Sequence, residues 1–264
     1  MRAWIDAIGL LGPGLPGWKA SRASLAGEAP YPGGDLAMPA LELLPAVERR
    51  RTGMLVKLTL AAGQEAIGGS RELAAELPTV FASSGGDGEV INDICVTLAG
   101  EDRQVSPTRF HNSVHNAPAG YWSIATGSRA PSTSLSAYDW SFAAGLVEAA
   151  AQIATGRERL LLVSADMPYP QPLRGVRPVT RPFAVALLLC AARGADTLAG
   201  VDITAGAPGA TPDAMADAAL EHLRLDNPAA RSLPLLSRIA SHRAGRVAMD
   251  YVGAGSLAID VTPC

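Results

Sequence analysis

Apolar positions recur along this chain at two spacings that take turns. Ala3 to Leu11 is a nearly continuous apolar run ending at Gly12-Pro13-Gly14, the pattern of a buried strand. Trp18 to Leu25 predicts a short helix. Gly27 to Pro39 is dense in Gly and Pro and reads as irregular loop. From Glu48 to Ile67, residues Met54, Leu55, Leu58, Ala62 and Ala66 recur three and four apart. That spacing predicts one helix with one apolar face, closed by Gly68-Gly69. Thr79 to Ser83 predicts a short strand. It leads through Ser84-Gly85-Gly86-Asp87-Gly88 into a helix from Glu89 to about Leu98. Pro107 to Pro118 is polar and loop-like, and Ala119 to Thr126 resumes a helical pattern. Ser132 to Ser136 reads as a short strand. Ser141 to Ala154 predicts a strong helix with Phe142, Leu146, Ala149, Ala150 and Ile153 on one face. Arg159 to Ser164 and Val185 to Cys190 are apolar runs of the kind that are covered on both sides. After Gly194 the pattern weakens to a helix over Pro212 to Leu223 and a final strand over Leu257 to Val261.

Strands alternating with helices predict an α/β layered sheet. The chain has 264 residues, 48% hydrophobic and 18% charged, enough to build a large core without disulfide or metal staples. Its net charge of −3 gives no electrostatic basis for binding nucleic acid or an anionic membrane. The one tight basic run, Arg49-Arg50-Arg51, reads as a solvated helix start. Three cysteines, Cys95, Cys190 and Cys264, make no disulfide framework and suit a reducing cytosol. Cys95 and Cys190 read as core residues. The opening Met1 to Asp6 turns acidic too early for a signal peptide, and no run reaches the roughly 20 apolar residues of a membrane helix. The expected location is therefore cytoplasmic, without membrane insertion.

Familiar catalytic patterns are missing. There is no Gly-x-Ser-x-Gly elbow and no Gly-x-x-x-x-Gly-Lys-Ser/Thr loop. The glycines at 85, 86 and 88 are explained by a tight strand-to-helix turn. His111 and His115 have helical metal spacing but lack the accompanying glutamate and lie in loop-like sequence. They read as hydrogen-bonded loop residues. His222 reads as a cation near a helix end. No metal site and no cofactor are expected.

Several segments, in order, resemble the N-terminal half of the β-ketoacyl synthases. They are Glu48 to Met54 with Lys57-Leu58, Val80-Phe81-Ala82-Ser83-Ser84-Gly85-Gly86, Ser106-Pro107-Thr108-Arg109-Phe110, Asn116 to Gly120, Arg129 to Thr133 and Arg181-Pro182-Phe183. The resemblance implies an α/β, thiolase-like layered fold with a complete first half and a shortened second half. It implies one ketosynthase-like domain over 1–264, with an N-terminal half at 1–192 and a reduced C-terminal part at 193–264.

The departures carry the functional expectation. In the family a Thr-Ala-Cys motif precedes the central helix, where the helix N-terminus favours a thiolate. Counting from Pro131, that cysteine falls on Asp139, or with one position of slippage on Tyr138 or Trp140. None is a thiol, and Asp139 reads as the N-cap of the Ser141 helix. The family's two second-half histidines have no counterpart after Phe183. The resemblance thus implies a non-catalytic, chain-length-factor-like subunit of a type II fatty acid or polyketide synthase, of the half-length kind associated with aryl polyene pathways. It would pair with an active ketosynthase as a heterodimer, shape its acyl pocket and meet acyl carrier protein only indirectly. The expected interface is Asn116 to Thr126 with Ser132 to Ser136. Its pocket and interface candidates are Asn116, Tyr121, Trp122, Ser134, Ser136, Tyr138, Trp140 and Phe142, each aromatic also having a plain core reading. The alternatives are an independent acyl-thioester transferase or hydrolase, using Ser136 or Ser141 with His111 or His115, and a homodimeric scaffold.

Overall fold

The computed structural model describes residues 1–208, 210–253 and 255–264. The first strand, β1 (Arg2–Leu11), is followed by α1 (Trp18–Ala26). The predicted long helix is broken into α2 (Ala46–Arg51) and α3 (Met54–Ala66). Thr52 and Gly53 between them are extended, and the Asp87 carboxylate occupies the space that a side chain at Gly53 would need. The run Arg49-Arg50-Arg51 is consequently the last turn of α2, where cations offset the negative helix end, and not a helix start.

α4 (Arg71–Glu76), capped by Ser70, leads into β2 (Thr79–Ala82), and α5 (Gly88–Ala99) is capped by Asp87. The polar stretch read as loop contains a further helix, α6 (Pro107–Asn112). Ser106 accepts a bond from the Arg109 N–H, and Pro107 takes the first helical position, where a missing donor costs nothing. α7 (Ala117–Thr126), β3 (Ser132–Leu135), a 3-10 turn at Tyr138–Trp140 and α8 (Ser141–Ala154) follow. β4 (Arg159–Asp166), the short α9 (Leu173–Val176) and β5 (Phe183–Cys190) come next.

The weakly patterned tail is more ordered than its sequence suggests. It forms β6 (Ala199–Pro208), α10 (Ala218–Asp226), a 3-10 turn at Ala229–Ser232, α11 (Leu233–Ala240), β7 (Gly245–Tyr251) and β8 (Gly255–Pro263). The helix expected from Pro212 starts six residues later, because Asp217 provides the cap, accepting from the Ala219 and Leu220 N–H groups. His222 therefore sits mid-helix and not near a C-terminus.

The eight strands of the described residues make one sheet in the order β3-β2-β4-β5-β1-β6-β8-β7. β3, β2 and β4 are parallel, and the remaining neighbours are antiparallel. Alternation along β4 sends Leu160 and Leu162 to one face and Leu161 and Val163 to the other, so both faces of the sheet carry helices. α1, α8 and α11 cover one face; α3 and α7 cover the other. Gly9 lets β1 touch α3, since a Cβ there would collide with the Ala62 carbonyl. Among the described residues, no helix is long and apolar enough to cross a membrane.

Candidate functional site

The three parallel strands end together, and a crevice at the carboxyl ends of parallel strands is where α/β sheets place ligands and chemistry. β2 delivers Ser83 and Ser84, β4 delivers Asp166, and β3 runs into Ser136 and the Tyr138–Trp140 turn. Asp166 is fully buried. Its Oδ1 accepts from the Ser84 N–H (2.7 Å), the Ser84 hydroxyl (2.8 Å) and the Ser83 hydroxyl (3.0 Å). Its Oδ2 is buried with no partner among the described residues. Burial pushes the Asp166 carboxyl up to about 6, against the downward pull of the Ser84 and Ser83 donors and, more weakly, of Arg177.

Further polar groups extend this network. The Ser84 and Tyr169 hydroxyls are 2.9 Å apart, and burial raises the Tyr169 phenol. Ser136 Oγ donates to the Ser84 carbonyl (2.9 Å). His115 Nε2 lies 3.1 Å from the Ser83 carbonyl oxygen. Gly85 and Gly88 are required here because Tyr169 packs against both backbones.

Asp139 occupies the turn ahead of α8 without capping it. Its Oδ1 accepts from Arg177 Nη2 at 2.8 Å. The turn is held instead by Ser141, whose hydroxyl accepts from the Ala137 N–H (3.0 Å) and donates to the Tyr138 carbonyl (2.7 Å). Ser141 thus braces the 3-10 turn ahead of α8, and no side-chain bond caps the helix itself among the described residues. Arg177 also lies over the Tyr138 ring, 3.6 Å from its centre, and its Nε is buried without a partner among the described residues. Tyr138 adopts φ 55°, a left-handed backbone that a bulky residue keeps only when its surroundings enforce it. The Asp139–Arg177 pair and the stacked guanidinium supply that enforcement.

The structure separates the candidate residues into two groups. Ser134, Ser136, Tyr138 and Trp140 reach the surface on β3 or just after it, with Tyr138 53% exposed, and Asn116 is exposed at the start of α7. Tyr121, Trp122 and Phe142 are interior. The Tyr121 hydroxyl donates to Asn112 Oδ1 (2.9 Å), Trp122 packs edge-on against Phe81, and Phe142 sits on the sheet under α8. The serine–histidine arrangements that an independent hydrolase needs are not formed. Ser136 and Ser141 bond backbone carbonyls, while His111 packs edge-on against Tyr121. His115 lies beyond the end of α6, so the two histidines do not share a helix face. Cys190 is buried and donates to Asp6, but Cys95, expected in the core, is exposed on α5.

Sequence reading missed Asp166, Tyr169, Ser84 and Arg177. The available signal was a carboxylate ending an otherwise apolar strand, a costly position that function or a buried network has to justify.

The sequence matches the family model described as "Beta-ketoacyl synthase, N-terminal domain" over residues 19–247. No curated protein matches it. Among solved structures, a chain of the ketosynthase (ApeO) in complex with its chain length factor (ApeC) from Xenorhabdus doucetiae is 22% identical with a TM-score of 0.75. That match covers 98% of this chain and 99% of the other. A chain of the ishigamide ketosynthase/chain length factor is 15% identical with a TM-score of 0.71, covering 100% and 99%. A β-ketoacyl synthase from Burkholderia phymatum STM815 is 17% identical with a TM-score of 0.61, covering 92% of this chain but 71% of that one.

Proposed function

The chain belongs to the β-ketoacyl synthase N-terminal domain family, and from that premise we propose that it is a chain-length-factor-like subunit. In this reading it pairs in the cytoplasm with an active ketosynthase of a type II, aryl polyene-like system. It shapes the partner's acyl pocket and performs no condensation itself.

The observation that carries the proposal is the edge of the sheet at β3. Ser132, Thr133, Ser134 and Leu135 pair with β2 on one side, and no strand lies on the other among the described residues. Nothing on this edge is charged, so it lacks the usual protection against strand pairing. Beyond its C-terminal end Tyr138 is exposed, with Arg177 stacked on its ring. A subunit that docks on β3 would cover Ser134, Ser136, Tyr138 and Trp140, with Tyr121 and Trp122 backing α7 from within.

The absence of a thiol at 138–140 and the Arg177-bound Asp139 support a non-catalytic role. Copurification of the chain with a co-expressed ketosynthase encoded beside it tests the pairing, and a stable complex is expected. Incubation of the purified chain with acyl and malonyl thioesters tests the lack of catalysis. Mass spectrometry should find no acylated residue, and stoichiometric acylation of one side chain would overturn the proposal.

A further inference from the structure

Away from β3, the C-terminal ends of α1 and α11 and the segment before α10 enclose a cavity of about 260 Å³. Leu25, Met215, Leu220 and Val247 give it an apolar wall. At its rim, Arg238 and Arg243 have no hydrogen-bond or ion-pair partner for their guanidinium groups among the described residues. Next to them Arg22 donates only to His242 Nε2, at 2.8 Å, and His242 is held at φ 49°. Unpaired guanidinium groups gathered around one opening are notable in a chain of net charge −3. Part of their role is to offset the negative ends of α1 and α11. That role leaves their planar donors free to bind an anion.

Two carboxylates also line the cavity, and both are engaged by backbone donors. Asp213 Oδ2 accepts from the Ala248 N–H (2.7 Å), and Asp217 Oδ1 accepts from Ala219 and Leu220 (2.9 and 3.0 Å). They limit the charge that the site tolerates and favour a monoanion over a phosphate dianion. The volume, at about 30 Å³ per water-sized group, admits a head group with a tail of roughly six to eight carbons. We propose that this cavity binds a medium-chain carboxylate, with Arg238 and Arg243 holding the head group and the Leu25–Val247 wall holding the tail.

Calorimetric titration of the purified full chain with octanoate tests the site, with inorganic phosphate and octanol as comparison probes. One octanoate should bind per chain, with octanol at least tenfold weaker and phosphate producing no measurable binding. The Arg238→Gln/Arg243→Gln variant should lose at least tenfold in octanoate affinity. Arg246→Gln should bind as the parent does, since Arg246 is held by Asp260 outside the cavity. In spectra of the parent chain, octanoate should shift the methyl resonances of Leu25 and Val247. The proposal is overturned if octanoate fails to bind at millimolar concentration, if phosphate or octanol binds as well as octanoate, or if both variants weaken binding equally. Methyl shifts confined to other residues would overturn it as well.

Discussion

The two edges of the sheet are built differently. At β7 the free side of the strand is covered by the chain itself. The Asp213 N–H donates to the Ala248 carbonyl (2.9 Å), and the Asp213 carboxylate accepts from the Ala248 N–H (2.7 Å). Arg231 reaches Asp250 on the same strand, adding charge. At β3 no strand pairs with the free side among the described residues, and Ser132 to Leu135 carry no charge. Covering and charging are the ordinary ways to stop unwanted strand pairing, and their use at one edge alone is the contrast on which the proposed pairing at β3 rests. The open edge is also the one that adjoins the buried Asp166 network, whereas the closed edge adjoins the arginine-rimmed cavity.

That contrast can be broken most severely at Ser134. In the β2–β3 ladder, Pro131 and Leu135 bond toward β2, so alternation turns the Ser134 N–H outward. Ser134→Pro should abolish copurification with the ketosynthase, at least a thousandfold in affinity, while thermal unfolding of the isolated chain stays within a few degrees of the parent. Unchanged pairing on a sizing column would remove β3 from the interface.

The next effect belongs to Asp166. Its folded-state pKa is raised to about 6, so the neutral form is the one that the fold favours. Its contribution is fully present below the unfolded value near 4, is lost as pH rises through about 6, and is flat above that. Asp166→Asn, which does not titrate, should match the parent near pH 3. It should exceed the parent by about 3 kcal/mol at pH 8, as read from urea unfolding at the two pH values. A variant less stable than the parent at pH 8 would mean that the fold favours the charged carboxylate and that the pKa is not raised.

A smaller change is expected at the covered edge. Asp213→Ala leaves the Ala248 N–H without its acceptor, and should cost about 1–2 kcal/mol and increase self-association, with ketosynthase pairing intact. Equilibrium unfolding and light scattering measure both. The smallest effect should come from Asp139→Asn. Asp139 is 39% exposed, so loss of its pair with Arg177 should change stability by about 1 kcal/mol or less. It should also leave pairing measurable by the same copurification.

The first half of the fold was legible because its elements carry their own signals. The face of α8 is apolar at helical spacing, and β4 and β5 are unbroken apolar runs. The second half was less so. β6 and β7 mix Gly, Ala and Asp with their apolar residues, and α10 takes its start from Asp217 and not from the more conspicuous Pro212. The break between α2 and α3 was hidden because its cause, Asp87, lies 34 positions further on from Gly53. The turn at Asp139 could be found by counting from Pro131. Its partner Arg177 could not, since the two meet only when α9 folds back over the turn, 38 residues away. Asp166 and Ser84 are likewise brought together across 82 residues by strand pairing.

The cover that Asp213 places over β7 has a consequence for assembly. A sheet with two open edges can add neighbours without end and grow into a fibre. A sheet with one edge stoppered can add only one. Two such bodies joined at their open strands have no hydrogen-bonding edge left to offer, so the union is finite, a pair and nothing larger. Under the pairing proposed at β3, one aspartate on a loop would thereby limit the assembly to two bodies.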